Sequence, residues 1–200
     1  MSLLVDHSPA AASLQPLFEA VHSDAARKEL VVGPIGFSLV RALSAKSVIF
    51  CGGDDSLIPL MLALALQDAN GGTLQRVDIR NPYQLPGASE RDNSAQRAGL
   101  LFQSSYPSHV AVTQSTADEF SERGRPIDLV LLDADHSFVG VAHDFEKFAR
   151  RADYVLLWDS AEDAAENPAF PHVRQFANRL QRPWVELSIN PCVVLIDNRC

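Results

Sequence analysis

The sequence predicts an α/β fold: a seven-stranded sheet, mostly parallel, with helices on both faces and an antiparallel hairpin at the C-terminus. Three observations predict it. Short apolar runs alternate with helix-period segments along most of the chain, the pattern of a parallel sheet covered on both sides. Glycine and proline turns separate the segments. The last two apolar runs are joined by Asn190-Pro191 alone, a tight turn and hence an antiparallel pair.

The elements follow in order. Pro9 to His22 has helical periodicity, with apolar Leu14, Leu17, Phe18 and Val21 and Ser8 ahead of it as a cap. Gly33-Pro34 is expected to break the chain before a short helix over 35–43. Ser47 to Cys51 is a buried-strand run that meets Gly52-Gly53, and a helix over 56–67 follows. Asn70-Gly71-Gly72 is a turn into a second strand over 73–79. A loop over 82–87 leads to a helix over 90–103, a third strand over 109–113 and a short helix over 116–123. Ile127 to Leu132 is the fourth strand, and 138–150 a helix with Phe138, Val141, Phe145 and Phe148 on one stripe. A fifth strand over 154–158, a helix over 170–180 and the hairpin strands 184–189 and 192–196 complete the pattern. This is a Rossmann-like order.

The 200 residues suit one domain. We expect a single unit over 1–200, with an N-terminal helical segment over 1–34 and the Rossmann-like core over 35–200. Seventeen basic and 25 acidic residues give a net charge of −8. That argues against nucleic acid or an anionic membrane as partner, since both need a basic face. Three widely spaced cysteines, Cys51, Cys192 and Cys200, form neither a zinc pattern nor a disulfide framework. With no signal-peptide pattern, the expectation is cytoplasmic. The apolar run 57–66 is about half a membrane span and reads as a buried helix.

In such sheets ligands bind beyond the carboxyl ends of the strands, so the residues that end strands are the candidates. The first group is Gly52, Gly53, Asp54, Asp55 and Ser56. Glycines admit close backbone approach. The two carboxylates suit a cationic ligand better than a phosphate, and the dinucleotide pattern G-x-G-x-x-G is absent. Capping of the next helix by Asp54, Asp55 or Ser56 is the alternative. Asp78 ends the second strand, where an acid commonly accepts hydrogen bonds from a ribose diol. Asp118 follows the third strand. Asp133-Ala134-Asp135-His136-Ser137 leaves the fourth strand with two carboxylates and an imidazole. His136 and Asp133 are the catalytic candidates: the imidazole as general base, the carboxylate as partner or ligand of a hard cation. Capping by Asp135 or Ser137 competes with that reading. Asp159 ends the fifth strand and comes near Asp133 if the two strands are neighbours. Cys51 reads as a small core residue, and His143, Glu146, His172 and Arg174 as ordinary helix positions.

The motif Asp133-Ala134-Asp135-His136-Ser137-Phe138, followed by a helix and Tyr154-Val-Leu-Leu-Trp-Asp-Ser160, resembles class I S-adenosylmethionine-dependent methyltransferases. The nearest branches are the methyltransferase-24-type proteins and the caffeoyl-CoA/catechol O-methyltransferase group. The resemblance runs from about Leu30 to the C-terminus. It implies S-adenosylmethionine as cofactor, held by Gly52, Gly53, Ser56, Asp78, Asp118 and Asp133. It offers Mg²⁺ at Asp133 and Asp159 as a candidate metal, although Ser160 stands where the metal-dependent branch has asparagine. His136 stands where that branch has lysine. Phe50 replaces the acid of the family's cofactor loop, and the later glycine falls at about Ser56.

The expected function is methyl transfer to a small-molecule oxygen or nitrogen nucleophile, with a homodimer as candidate assembly. The degenerate loop raises an alternative: a methyltransferase-like fold that has lost catalysis and serves as a binding or partner subunit. A nicotinamide oxidoreductase is disfavoured by the missing glycine pattern. The methyl acceptor is not encoded in any readable motif.

Overall fold

A computed structural model describes residues 24–52, 57–78, 106–116, 119–120, 126–133, 137–158, 172–187 and 193–199. The elements are α1 (Asp24–Ala42), β1 (Ser47–Gly52), α2 (Ile58–Asp68), β2 (Gly72–Asp78), β3 (Val110–Thr116), β4 (Ile127–Leu132), α3 (Phe138–Asp144) continuing as a π-helical turn (Phe145–Ala149), β5 (Ala152–Trp158), α4 (His172–Arg179), β6 (Trp184–Leu187) and β7 (Val193–Asp197). The strands form one seven-stranded sheet in the order β3-β2-β1-β4-β5-β7-β6. β1 to β5 are parallel, and β7 is antiparallel to both β5 and β6. This is the expected fold class. The expected segments over 9–22, 82–87 and 90–103 and the Asn190-Pro191 turn lie outside the described residues.

Alternation along each central strand divides the core into two layers. Ile49 and Cys51 of β1, Val130 and Leu132 of β4 and Val155 and Leu157 of β5 pack with Val141, Phe145, Phe148, Val173 and Phe176 from α3 and α4. Val48, Phe50, Leu129, Leu131 and Leu156 pack on the other face with Val32 and Val40 of α1 and Ile58, Leu62 and Leu66 of α2. Both faces of a parallel sheet are thus sealed, which is why these strands read as continuous apolar runs. Residues 58–66 of α2 are all buried, as expected for that run. No helix among the described residues is long and apolar enough to cross a membrane.

Three local expectations are corrected. Gly33-Pro34 does not break the chain: α1 runs through both. Pro34 forfeits one backbone hydrogen bond, while the Ser38 hydroxyl donates to the Pro34 carbonyl at 2.8 Å. A Cβ at Gly33 would lie 2.3 Å from Met61 Sδ, so this glycine permits close α1–α2 packing rather than a turn. The segment 138–150 is not a uniform α-helix, because Phe145–Ala149 form the π turn. Phe145, Phe148 and Ala149 are all buried there. The helix expected over 116–123 is absent at its described positions: β3 extends to Thr116, and Glu119 and Phe120 are not helical.

The amino edge of the sheet is tied by side chains. Asp128 accepts from the backbone N–H of Lys46 at 2.5 Å and of Ser47 at 2.8 Å, fixing the entry to β1 against β4. Buried Asn198 donates through Nδ2 to the carbonyls of Ala149, Arg150 and Ala152 at 3.2, 2.9 and 2.8 Å. It thereby closes the end of the π turn.

Candidate functional site

The strand order reverses at β1. The chain steps outward from β1 to β2 to β3, then returns to place β4 on the other side of β1. A crevice beyond the carboxyl ends at such a switch is the usual ligand position in open α/β sheets. Three of the expected residues come together there. Gly52, the last residue of β1, is in register with Asp78, the last residue of β2. The Asp133 N–H donates to the Cys51 carbonyl at 2.7 Å, so Asp133 continues the β1–β4 ladder beside Gly52. With strands spaced about 4.8 Å, Asp78 and Asp133 flank Gly52 with backbones about 10 Å apart.

The packing under Gly52 is specific. A Cβ there would lie 2.5 Å from Phe50 Cζ, 2.7 Å from Phe50 Cε1 and 3.2 Å from Asp133 Cβ. Residues 50 and 52 face the same side of the sheet, and the buried phenyl ring folds up beneath the glycine. Position 52 must therefore lack a side chain for the chain's own packing, whatever a ligand also requires. Cys51 faces the opposite layer and is fully buried. Burial, with Asp144 adding to it, pushes its thiol pKa well up. The expected core role holds, and a chemical consequence follows. In native protein at pH 8 Cys51 should resist iodoacetamide. Raising the pH to 9 should not speed its labelling as it would for a free thiol titrating near about 8.5. Peptide mapping checks this, and labelling of the native protein at a free-thiol rate contradicts it.

β4 and β5 are adjacent, with Leu132 in register with Leu157. The condition for Asp159 to approach Asp133 is therefore met at the level of the strands. Asp159 itself lies outside the described residues, as do Gly53, Ser56, Asp118 and His136. Among the described residues there is no group of three His, Cys, Asp or Glu side chains that could hold a metal ion. Ser137 is the N-cap of α3, its hydroxyl accepting from the Gly140 N–H at 3.0 Å, which realises the capping alternative for that residue. α2 begins after Leu57, which supplies no side-chain cap.

Two residues treated as ordinary in the sequence acquire a position. Arg174 grips Glu186 of β6 with two hydrogen bonds, of 2.8 Å from Nε and 2.6 Å from Nη2. Half-buried His172 begins α4, with its Nδ1 enclosed and making no hydrogen bond. Nothing in the sequence around His172 signals this, because its placement depends on how α4 meets the sheet.

The comparisons with known proteins fit this geometry. Residues 57–159, just over half the chain, match the family model described as a methyltransferase domain. No curated protein matches the chain in sequence. Several solved structures share the fold. A candidate O-methyltransferase from Klebsiella pneumoniae is 15% identical, with a TM-score of 0.56 over 96% of this chain and 91% of that one. An O-methyltransferase from Bacillus cereus, in complex with S-adenosylhomocysteine, is 13% identical, with a TM-score of 0.52 over 98% and 93%. An O-methyltransferase from Streptomyces achromogenes involved in tomaymycin synthesis, in complex with S-adenosylmethionine, is 18% identical, with a TM-score of 0.52 over 98% and 92%. With its strand order and its family match, the chain belongs to the class I S-adenosylmethionine-dependent methyltransferase family.

Proposed function

We propose that the protein transfers a methyl group from S-adenosylmethionine to an oxygen or nitrogen nucleophile on a small molecule. One observation carries the reading: Asp78, Gly52 and Asp133 converge on the carboxyl edge at the switch in strand order. The residues present fit the cofactor. A carboxylate ending β2 has the chemistry to accept both hydroxyls of a ribose. The carboxylates of Asp54 and Asp55 suit a sulfonium, and so does that of Asp133, which stands against β1.

When bound, the cofactor supplies an electrophilic methyl group. The chain's own work is to hold and orient, which by itself lowers the barrier substantially. In this reading Asp78 holds the ribose, and Gly52, Gly53 and Ser56 let the backbone approach. Asp118 is a further residue that would help hold the cofactor. His136 takes the acceptor's proton. A hard cation between Asp133 and Asp159 is the metal-assisted version of the same step. A second reading, a methyltransferase fold kept as a binding subunit, draws on Phe50, which replaces the acid of the family's cofactor loop and whose ring is buried beneath Gly52.

Calorimetric titration with S-adenosylhomocysteine tests the proposal. We expect micromolar binding, weakened about tenfold or more in Asp78→Ala, since a charge-assisted hydrogen bond contributes about 1.5–3 kcal/mol. Binding without turnover on any hydroxyl or amine tried favours the second reading. Absence of binding rejects the cofactor assignment.

A further inference from the structure

α4 is placed by contacts at both ends. At its far end the chain turns into β6 at the amino edge, where the Asp197 N–H donates to the Pro183 carbonyl at 2.9 Å. Nearer its start, Arg174 holds Glu186. Glu186 is in register with Val194, which is in register with Leu157, one residue short of the end of β5. α4 therefore descends from the carboxyl edge, and His172, two residues before Arg174, stands at that edge. One turn further on, the Phe176 ring meets Phe138 at 6.2 Å between centroids. Phe138 opens α3, directly after its N-cap Ser137. The imidazole of His172 thus belongs to the same edge as Gly52, Asp78 and Asp133, on the β5–β7 side.

Its Nδ1 is enclosed and has no hydrogen-bond partner in the protein. Leaving a buried polar atom unpaired costs about 1–3 kcal/mol. Such atoms are rare in native proteins, and each calls for an explanation, a bound ligand among them. Elsewhere on α4, Val173, Phe176 and Ala177 face the core and Arg174 is paired with Glu186.

We propose that His172 is an acceptor-binding residue of this site. Its Nδ1 accepts a hydrogen bond from the hydroxyl of a small phenol or alcohol. With the ring proton on Nε2, Nδ1 has the lone pair for this. This bond anchors and orients the hydroxyl at the carboxyl edge before reaction, and the proton then leaves to His136 as the oxygen keeps the electron pair. The inference rests on the methyltransferase reading for the class of ligand only, not for the presence of a ligand.

The test uses the intact chain with ¹⁵N-labelled histidine and phenol as probe. The Nδ1 signal of His172 is assigned by its loss in His172→Gln, or in His172→Asn should the first variant not fold. The expected result is a saturable shift of that signal toward the protonated-nitrogen end of its range as phenol is added. S-adenosylhomocysteine binding is measured separately on the same samples. A phenol-dependent shift without S-adenosylhomocysteine binding upholds His172 as a hydroxyl site and rejects the family cofactor. An Nδ1 signal that phenol leaves unchanged, with and without S-adenosylhomocysteine, overturns the inference. So does a signal already showing a hydrogen bond to a resident water that phenol does not displace.

Discussion

Replacing Gly52 by alanine should destabilise the protein by about 1–3 kcal/mol, the usual cost of overpacking a filled core, and should abolish measurable S-adenosylhomocysteine binding. The new methyl would meet the tip of the Phe50 ring at 2.5 Å and crowd Asp133 Cβ at 3.2 Å. Phe50 is 1% exposed, so the ring has nowhere to retreat. What yields is the backbone at the end of β1, and with it the register that sets Gly52 against Asp78. Phe50 and Gly52 should be energetically coupled. Phe50→Leu alone should be destabilising, because it leaves a void, yet Gly52→Ala should be much milder in that background. Neighbours of this kind typically couple by about 0.5–3 kcal/mol. Denaturant unfolding of the four proteins in the cycle measures the coupling. Additive effects would show that Phe50 does not dictate the glycine.

Asn198→Asp should cost about 3 kcal/mol or more at pH 7, with the loss growing as pH rises. The native amide presents Nδ2 to three carbonyls, of Ala149, Arg150 and Ala152, and its own N–H donates to the Asp153 carbonyl at 2.8 Å. Arg182 Nη1 in turn donates to the Asn198 carbonyl at 2.7 Å. One buried residue thus ties together the π turn, the start of β5 and the end of β7. A carboxylate there would place negative oxygens against three carbonyl oxygens, and only its protonated form could stay. The sign follows. The folded-state carboxyl pKa is raised above its unfolded value near about 3.9. Stability is then fullest below that value and lost as pH rises through the folded pKa. Asn198→Ala leaves the carbonyls unpaired without adding charge, so it should cost about 2–3 kcal/mol with no such added pH dependence. Thermal melts of both variants from pH 4 to 8 separate the two patterns. Equal pH profiles would show that the amide does not make these bonds.

The sequence by itself determined the class of the fold and the sheet edge at which the candidate residues gather. Hydrophobic periodicity is a local signal. The runs 47–51, 127–132 and 154–158 are apolar because both faces of a parallel strand are sealed, and each became a strand within one or two residues of its expected bounds. Because function in such a sheet gathers at strand ends, Gly52, Asp78 and Asp133 were legible as candidates before their neighbours were known. The local signals failed where a distant partner set the outcome. Gly33-Pro34 reads as a break, but Met61 makes it a close helix contact. The stripe at Phe138, Val141, Phe145 and Phe148 reads as one α-helix, but the packing ends it in a π turn capped by Asn198. Tertiary structure alone decided that Gly52 must be glycine because of Phe50, and that His172 reaches the carboxyl edge with an unpaired nitrogen. The physical reason is common to all four. Periodicity is written in neighbouring residues, whereas steric closeness and hydrogen-bond partnership are settled between segments that meet only when the sheet has formed.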